Sequence, residues 1–325
     1  MKKIILFDPA CGTRNLGDYI IENSVMKQMD FLFKDSFVVK YSTHTPMTHL
    51  YQLLHANLVL KSCKESDYKF LGGSNLLKTN LRHLSPDFNV HWSDSFYYKG
   101  AICIGCGVDN EKEKFNLYTK YLLRRILSDK YIHSVRDDKT KKMLEEMGFR
   151  AINTGCPTLW GLTKEFCRQI PKSKASQVVF TLTDYCRDEL KDKEFVSILK
   201  KNYDKLYYWI QGDQDLEYLS KITNLEDIHL ISPSLESYKS FLDENDVDYI
   251  GTRLHAGIFA MQRKKRAIII IVDNRARDMK KTYQLNCIER EEIEELENLI
   301  NQEIKTYVDI NEAAINEWKK QFKEN

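Results

Sequence analysis

Short runs of β-branched and apolar residues recur along the chain. Each closes on small or polar residues and leads into a helix-period pattern, which is how parallel βαβ units read. In the first half these runs predict strands near Ile4–Phe7, Phe37–Tyr41, Tyr68–Leu71, Ala101–Ile104 and Tyr131–Val135. Helical patterns near Leu16–Phe31, Met47–Leu60, Lys114–Leu127 and Lys139–Met147 separate most of them. Residues 78–99 hold no clean period and are expected to form an active-site loop or excursion. The second half repeats the theme, with strands near Val178–Thr183, Leu206–Ile210, His229–Ile231, Val247–Ile250 and Ala267–Val272. Its helices fall near Lys193–Asn202, Asp215–Lys221, Leu235–Glu244 and His255–Gln262, and two further helical patterns, Glu289–Ile304 and Asn311–Gln321, close the chain.

This alternation predicts an α/β protein of two Rossmann-like, doubly wound domains facing a cleft. Residues 1–165 form the expected N-terminal domain and 166–176, which include the polar stretch from Pro171 to Ser176, the linker. Residues 177–305 form the C-terminal domain, and 306–325 a C-terminal helix packing back across the domains. At 325 residues the chain is long enough for two cores, since single cores usually stop growing near about 250 to 300 residues.

Composition narrows the class without naming it. Hydrophobic residues make up 42% and charged residues 30%, a balance that argues against extensive disorder. The 49 basic and 47 acidic side chains nearly cancel, so no whole-molecule field draws in nucleic acid, and any anion is bound locally. The eight cysteines are scattered, unlike a secreted disulfide framework, and the apolar run after Met1 ends at Asp8 and Pro9, short of a signal peptide. The longest other apolar run, Ala267 to Val272, is far short of the roughly 20 residues of a membrane span. A cytoplasmic protein is expected, at most peripheral at the inner membrane face.

Candidate chemistry gathers where strands hand over to helices, the edge at which open α/β sheets bind ligands. Asn15 and Asp18 lie in such a segment, Gly12-Thr-Arg-Asn-Leu-Gly-Asp18, where helix capping and ligand contact are both open readings. Leu71-Gly72-Gly73-Ser-Asn75 and Ile104-Gly-Cys-Gly107 end two further strands; a tight turn and a ligand contact explain the first equally well. Cys103 and Cys106 form a C-x-x-C, but residues three apart on a strand point to opposite faces, so buried small residues are the preferred reading over a metal site. Arg136 ends a strand, and Asp137 and Asp138 suit the first turn of the next helix.

The most informative segment is Gly251-Thr-Arg253-Leu-His255-Ala-Gly257. A glycine turn after a strand presents, two residues apart, a guanidinium fork for phosphate or carboxylate and an imidazole able to serve as acid or base. Arg275, in Asp273-Asn-Arg275, follows the most apolar strand, where a cation at the cleft and a solvated helix face are equal readings. The basic run Arg263-Lys-Lys-Arg266 suits a helix C-terminus, with contact to an anionic membrane or glycolipid headgroup as the alternative.

Taken in order, Asn15-Leu-Gly-Asp18, Leu71-Gly-Gly73, Ser134-Val-Arg-Asp137 with Thr140, Gly155-Cys-Pro-Thr158, Gly251 to Gly257 and Asp273-Asn-Arg275 resemble the polysaccharide pyruvyl transferase family. The resemblance implies two Rossmann-like domains of GT-B type and transfer of the pyruvyl group of phosphoenolpyruvate onto a saccharide as a ketal, in cell-surface polysaccharide biosynthesis. It implies that Arg136 and Arg253 hold the donor's phosphate and carboxylate and that His255 sits at the reacting centre. Asn15, Asp18, Gly72, Gly73, Asn75 and Arg275 complete the expected substrate-binding set. The expected partners are phosphoenolpyruvate and a saccharide acceptor, with a lipid-linked one left open; no cofactor or metal is expected. A nucleotide-sugar glycosyltransferase of GT-B type and a non-catalytic glycan-binding member are the rival readings.

Overall fold

In the computed structural model the described residues are 1–47, 50–53, 58–83, 87–109, 113–323. The chain divides into two compact units. Unit 1 comprises residues 1–13, 21–160 and 311–325; unit 2 comprises 14–20 and 161–310.

Unit 1 is built on β1 (Lys2–Asp8), β2 (Ser36–Ser42), β3 (Tyr68–Leu71) and β4 (Ala101–Cys103), all parallel, in the order β2-β1-β3-β4. A single parallel bridge from Cys106 to Val135 leads into the pair β5 (His133–Val135) and β6 (Ala151–Asn153). Order reverses between β1 and β3, so their carboxyl ends make this unit's crevice. Burial explains the sequence of β1: Ile4, Ile5, Leu6 and Phe7 are all buried, because helices cover both faces of a parallel sheet and leave no polar side to alternate with. The C-terminal helix Glu312–Lys320 belongs to this unit. Its Trp318 lies edge-on to Trp160 with ring centres 5.7 Å apart and donates from Nε1 to the Ile132 carbonyl at 2.7 Å.

Unit 2 is a six-stranded parallel sheet of β7 (Gln177–Thr181), β8 (Lys205–Trp209), β9 (Ile228–Ile231), β10 (Asp248–Gly251), β11 (Ala267–Ile271) and β12 (Cys287–Glu289). Its order, β12-β11-β10-β7-β8-β9, is the Rossmann arrangement, and its reversal falls between β7 and β10. The five residues of β11, AIIII, are all buried.

Several expectations need correction. The helix expected over Glu289–Ile304 is instead β12, a 3-10 segment Arg290–Glu295 and a short helix Leu296–Asn301. Cys287–Glu289 pairs with Ile269–Ile271, and an edge strand's backbone bonds outweigh a local helical pattern. Strands β6 and β12, three residues each, are too short to show a period. The helix expected at Met47–Leu60 appears as Leu50–Leu53 and Leu58–Glu65, and its residues 48–49 and 54–57 lie outside the described residues. Of the excursion expected over residues 78–99, residues 84–86 lie outside the described residues; in the rest Phe88 and Tyr97 are buried and Tyr98 stacks on Phe7 with ring centres 3.8 Å apart.

Cys103 and Cys106 do not point apart. The strand stops at Cys103, Gly105 turns the chain with φ of 61°, and both thiols lie in the same buried cluster, that of Cys106 donating to the Leu71 carbonyl at 3.5 Å. The basic run is not an open cationic surface either. Arg266 is buried against Asp248 at 2.6 Å and donates to the carbonyls of Ile300 and Gln302, tying down the end of the short helix. Arg263 is ion-paired with Asp243, and Lys265 caps the Asn245 carbonyl. Among the described residues no helix is long and apolar enough to cross a membrane.

Candidate active site

The carboxyl edge of unit 2 gathers a dense set of candidate side chains. Its starting point is the turn after β10, which is fixed by backbone and buried hydroxyls. Tyr249 donates to the Arg253 carbonyl at 2.7 Å and shares a 2.7 Å hydrogen bond with Thr181, while Thr252 N–H donates to the Thr181 carbonyl at 3.1 Å. Gly251 is required here, because a Cβ would come within 2.5 Å of Thr181 Oγ1 and 2.7 Å of its carbonyl. The turn leaves Arg253 at the start of the helix Leu254–Gln262 and sets His255, partly exposed, as that helix's second residue.

Arg253 itself is only 4% exposed. Its guanidinium is held by two carboxylates: Nε donates to Asp215 Oδ2 at 3.2 Å, and NH2 donates to Asp184 at 2.8 Å and also to Asp215 Oδ1. Asp184 follows β7, and Asp215 opens the helix after β8 and accepts from Gly212 N–H at 2.7 Å. Gly212 lets the arginine in, since a Cβ there would sit 2.4 Å from Arg253 NH2. Burial pushes the Asp215 carboxyl up, against the pull of Arg253; the same burial works against the guanidinium's charge, but Asp215 outweighs it and keeps Arg253 above its ordinary range.

Tyr185 extends this network. Its ring faces the Arg253 guanidinium at 5.1 Å and that of Arg275 at 5.8 Å, and its hydroxyl accepts from Arg275 at 2.8 Å. Arg275 is ion-paired with Asp273, which also caps the helix Asn274–Tyr283 through Ala276 N–H. Burial works to raise Asp273, and Arg275 more than offsets it, so the carboxyl sits below its usual range.

Asn15 and Asp18 belong here too, not with the sheet edge that precedes them in sequence. Residues 14–20 are part of unit 2: Asn15 bridges Gly212, accepts from Gln211 Nε2 at 2.8 Å and from Gly17 N–H at 3.0 Å, and Asp18 acts on the charge of Arg275. Two buried oxygens, Gln211 Oε1 and Thr252 Oγ1, have no hydrogen-bond partner among the described residues. Buried polar atoms of this kind usually have partners, which makes them candidates for ligand contact.

The remaining expected residues, Gly72, Gly73, Asn75 and Arg136, gather in unit 1. The Ser134-Val-Arg-Asp137 and Thr140 pattern has a structural purpose: Ser134 accepts from Gly105 N–H at 2.8 Å and Thr140 from Val108 N–H at 3.0 Å, clamping the loop after β4. Asp137 caps the helix Asp138–Glu145 through Thr140 N–H. Arg136 lies across that loop at Gly107, where a Cβ would meet Nε at 2.2 Å. Gly73 and Ser74 both take left-handed backbone, φ 83° and 62°, and Asn75 Oδ1 is buried without a hydrogen-bond partner among the described residues.

Beside these, at the end of β1, stands a carboxyl that sequence reading did not single out. Asp8 is 1% exposed, accepts from Ala10 N–H at 2.8 Å, and lies 3.8 Å from Lys40, which pairs in turn with Glu22. Burial, with Glu22 adding to it, pushes the carboxyl up to about 6, against the Ala10 N–H, Lys40 and His44. Between the ordinary value and about 6 the folded chain therefore holds more protons than the unfolded one, and stability from this group falls as pH rises through that window. Asp8→Asn is expected to stabilise the fold by up to roughly 3 kcal/mol at pH 7 and by almost nothing near pH 4. Denaturant melts of both proteins at the two pH values check it; an equal gain at both would show that charge burial is not the cause.

Among the described residues no three His, Cys, Asp or Glu side chains group as metal ligands. Parallel α/β sheets in two units, with the candidate side chains gathered at the carboxyl edges, are those of the Rossmann-type, GT-B-like class of α/β proteins. Solved structures of that fold match over nearly the whole chain. UDP-GlcNAc 2-epimerase from Methanocaldococcus jannaschii does so at 11% identity, TM-score 0.59, covering 100% of each chain. A putative UDP-N-acetylglucosamine 2-epimerase from Listeria monocytogenes does so at 14% identity, TM-score 0.56, covering 99% of this chain and 97% of that one. Within the class, the chain belongs to the polysaccharide pyruvyl transferase family, which matches it over residues 15–274. No curated protein matches its sequence closely enough to add a nearer relative.

Proposed function

We infer that the chain moves the pyruvyl group of phosphoenolpyruvate onto a saccharide as a ketal. The observation that carries this reading is the turn Gly251–His255, inside the matched family region, which fixes an arginine and an imidazole at the reversal point of the unit 2 sheet. In the proposed reaction His255 delivers a proton to the donor's methylene carbon, and a sugar hydroxyl attacks the adjacent C2. A second hydroxyl of the sugar then adds at C2 as the bond to the phosphate oxygen breaks. The two hydroxyl protons go to His255 and to the departing phosphate, so the acid is restored.

Charge in the site supports roles for the arginines. Asp215, with its side chain fully buried, is the fixed partner of Arg253, whereas Asp184 is 18% exposed and is the partner an incoming phosphate or carboxylate can replace. Arg275, 41% exposed, supplies a second cation on the same edge, and Gln211 Oε1 and Thr252 Oγ1 offer acceptors for sugar hydroxyls. Arg136 is the proposed anion contact of unit 1. The acceptor is a saccharide of the kind found in cell-surface polymers, and the reaction belongs on the cytoplasmic side, where phosphoenolpyruvate is made.

Phosphate release from phosphoenolpyruvate, followed with candidate nucleotide-linked and lipid-linked sugars, tests the proposal. Release that depends on the acceptor and yields a ketal is the expected result. Turnover of UDP- or GDP-sugars with phosphoenolpyruvate untouched would replace this reading with the glycosyltransferase one, for which the fold shared with UDP-sugar enzymes is the supporting observation.

A further inference from the structure

Unit 1 carries an exposed aromatic and cationic surface that its own packing does not explain. The helix Leu117–Ile126 buries Thr119, Leu122, Leu123 and Ile126. Its opposite side leaves Leu117 83% and Tyr121 48% exposed, four residues apart and so on one face, with Arg124 and Arg125 one turn further on. Trp92, 50% exposed, and Phe96, 42% exposed, continue the surface on the neighbouring segment, their rings 5.9 Å apart. Arg125 joins the two segments: its guanidinium lies 5.4 Å from the Phe96 ring and 5.7 Å from that of Tyr121, and Nε donates to Ser95 Oγ at 3.1 Å.

The exposed charges on these two segments are of one sign. The helix carries Lys120, Arg124 and Arg125 and no acid, and Lys99 is exposed at the end of the neighbouring segment. The acid of that segment, Asp94, is 1% exposed and turned inward, accepting from Met47 N–H at 3.0 Å and His91 N–H at 2.9 Å. We propose that this surface docks unit 1 on an anionic phospholipid bilayer, with Trp92, Phe96, Tyr121 and Leu117 entering the headgroup boundary and the lysine and arginines meeting lipid phosphates. Aromatic rings with a polar handle settle at that depth, and long basic side chains keep their charge at the headgroups while their stems lie along apolar surface. A second copy of the chain is the poorer occupant, because a twofold contact through this face sets arginine against arginine. Nothing in this surface depends on which reaction the chain catalyses.

The full chain provides its own reporter. Of the four tryptophans, Trp160, Trp209 and Trp318 are buried, so a change in indole emission on adding vesicles reports Trp92. Vesicles of phosphatidylglycerol and phosphatidylcholine should shift that emission to the blue and sediment the protein at low salt; pure phosphatidylcholine should do neither. Phe96→Ser with Tyr121→Ser, and separately Lys120→Glu with Arg124→Glu, should each weaken vesicle binding by about tenfold or more, the charge pair losing most at low salt. Thermal melts of both variants show that they are folded. Absence of binding to the anionic vesicles, or folded variants that bind as well as the wild type, overturns the proposal. So does a wild-type dimer in sedimentation velocity that Phe96→Ser with Tyr121→Ser dissolves, because the surface then belongs to a second copy.

Discussion

His255→Gln is expected to slow turnover of phosphoenolpyruvate by about 10² to 10⁴-fold, the usual contribution of a general acid. Donor affinity should stay within a few-fold. The turn that carries His255 is held by hydrogen bonds among Tyr249, Thr181, Thr252 and the Arg253 carbonyl that do not use the imidazole, so the helix start should survive. Glutamine keeps the length and the hydrogen-bonding capacity but cannot deliver a proton. Steady-state rates with the true acceptor, set beside calorimetric titration of the donor, separate the outcomes. Near-wild-type turnover would move the proton source elsewhere, and a large loss of affinity with unchanged turnover would make His255 a binding contact only.

Arg253→Ala should destabilise the fold by about 3 to 5 kcal/mol, the range for removing one partner of a buried ion pair. Asp215 would be left with its side chain fully buried and its countercharge gone. Asp215→Asn in the same chain should recover a large part of the loss, since the orphaned charge is then absent, and denaturant melts of the four proteins of this cycle measure the coupling directly. The deficit of the single variant should also shrink as pH falls. Without the guanidinium that opposes it, the carboxyl that burial already raises climbs further, and the folded variant takes up a proton more readily than its unfolded chain. An arginine that served only as an anion hook would behave differently: stability would stay nearly constant and donor affinity alone would fall.

The local parts of the site were legible because each is written in consecutive residues. Gly251-Thr-Arg-Leu-His255 reads directly as a turn that ends a strand and opens a helix. The capping role of Asp137 is local too, its side chain accepting from an N–H three residues on. The partners of Arg253 were not legible, because they lie 38 and 69 residues away in sequence and carry no pattern of their own. One signal was available: Asp184-Tyr185 and Gln211-Gly212 follow β7 and β8 closely, and in a sheet wound on both sides every such position faces the ligand edge. Asp8 was passed over for a different reason, since an aspartate closing an apolar run looks like the polar end of a strand until its burial is known.

The sequence by itself determined the alternation of strands and helices, the parallel sheets, the family and the identity of the residues at strand ends. Those follow from hydrophobic period and turn chemistry, which act over a few residues. Only the tertiary structure decided that Arg253 is closed between two carboxylates, that Arg266 is a buried tie and not a surface charge, and that Asn15 meets Gln211 across 196 residues of chain. Burial and pairing of charge depend on which distant segments the sheets bring together, and strand order is a property of the whole sheet that no local pattern encodes.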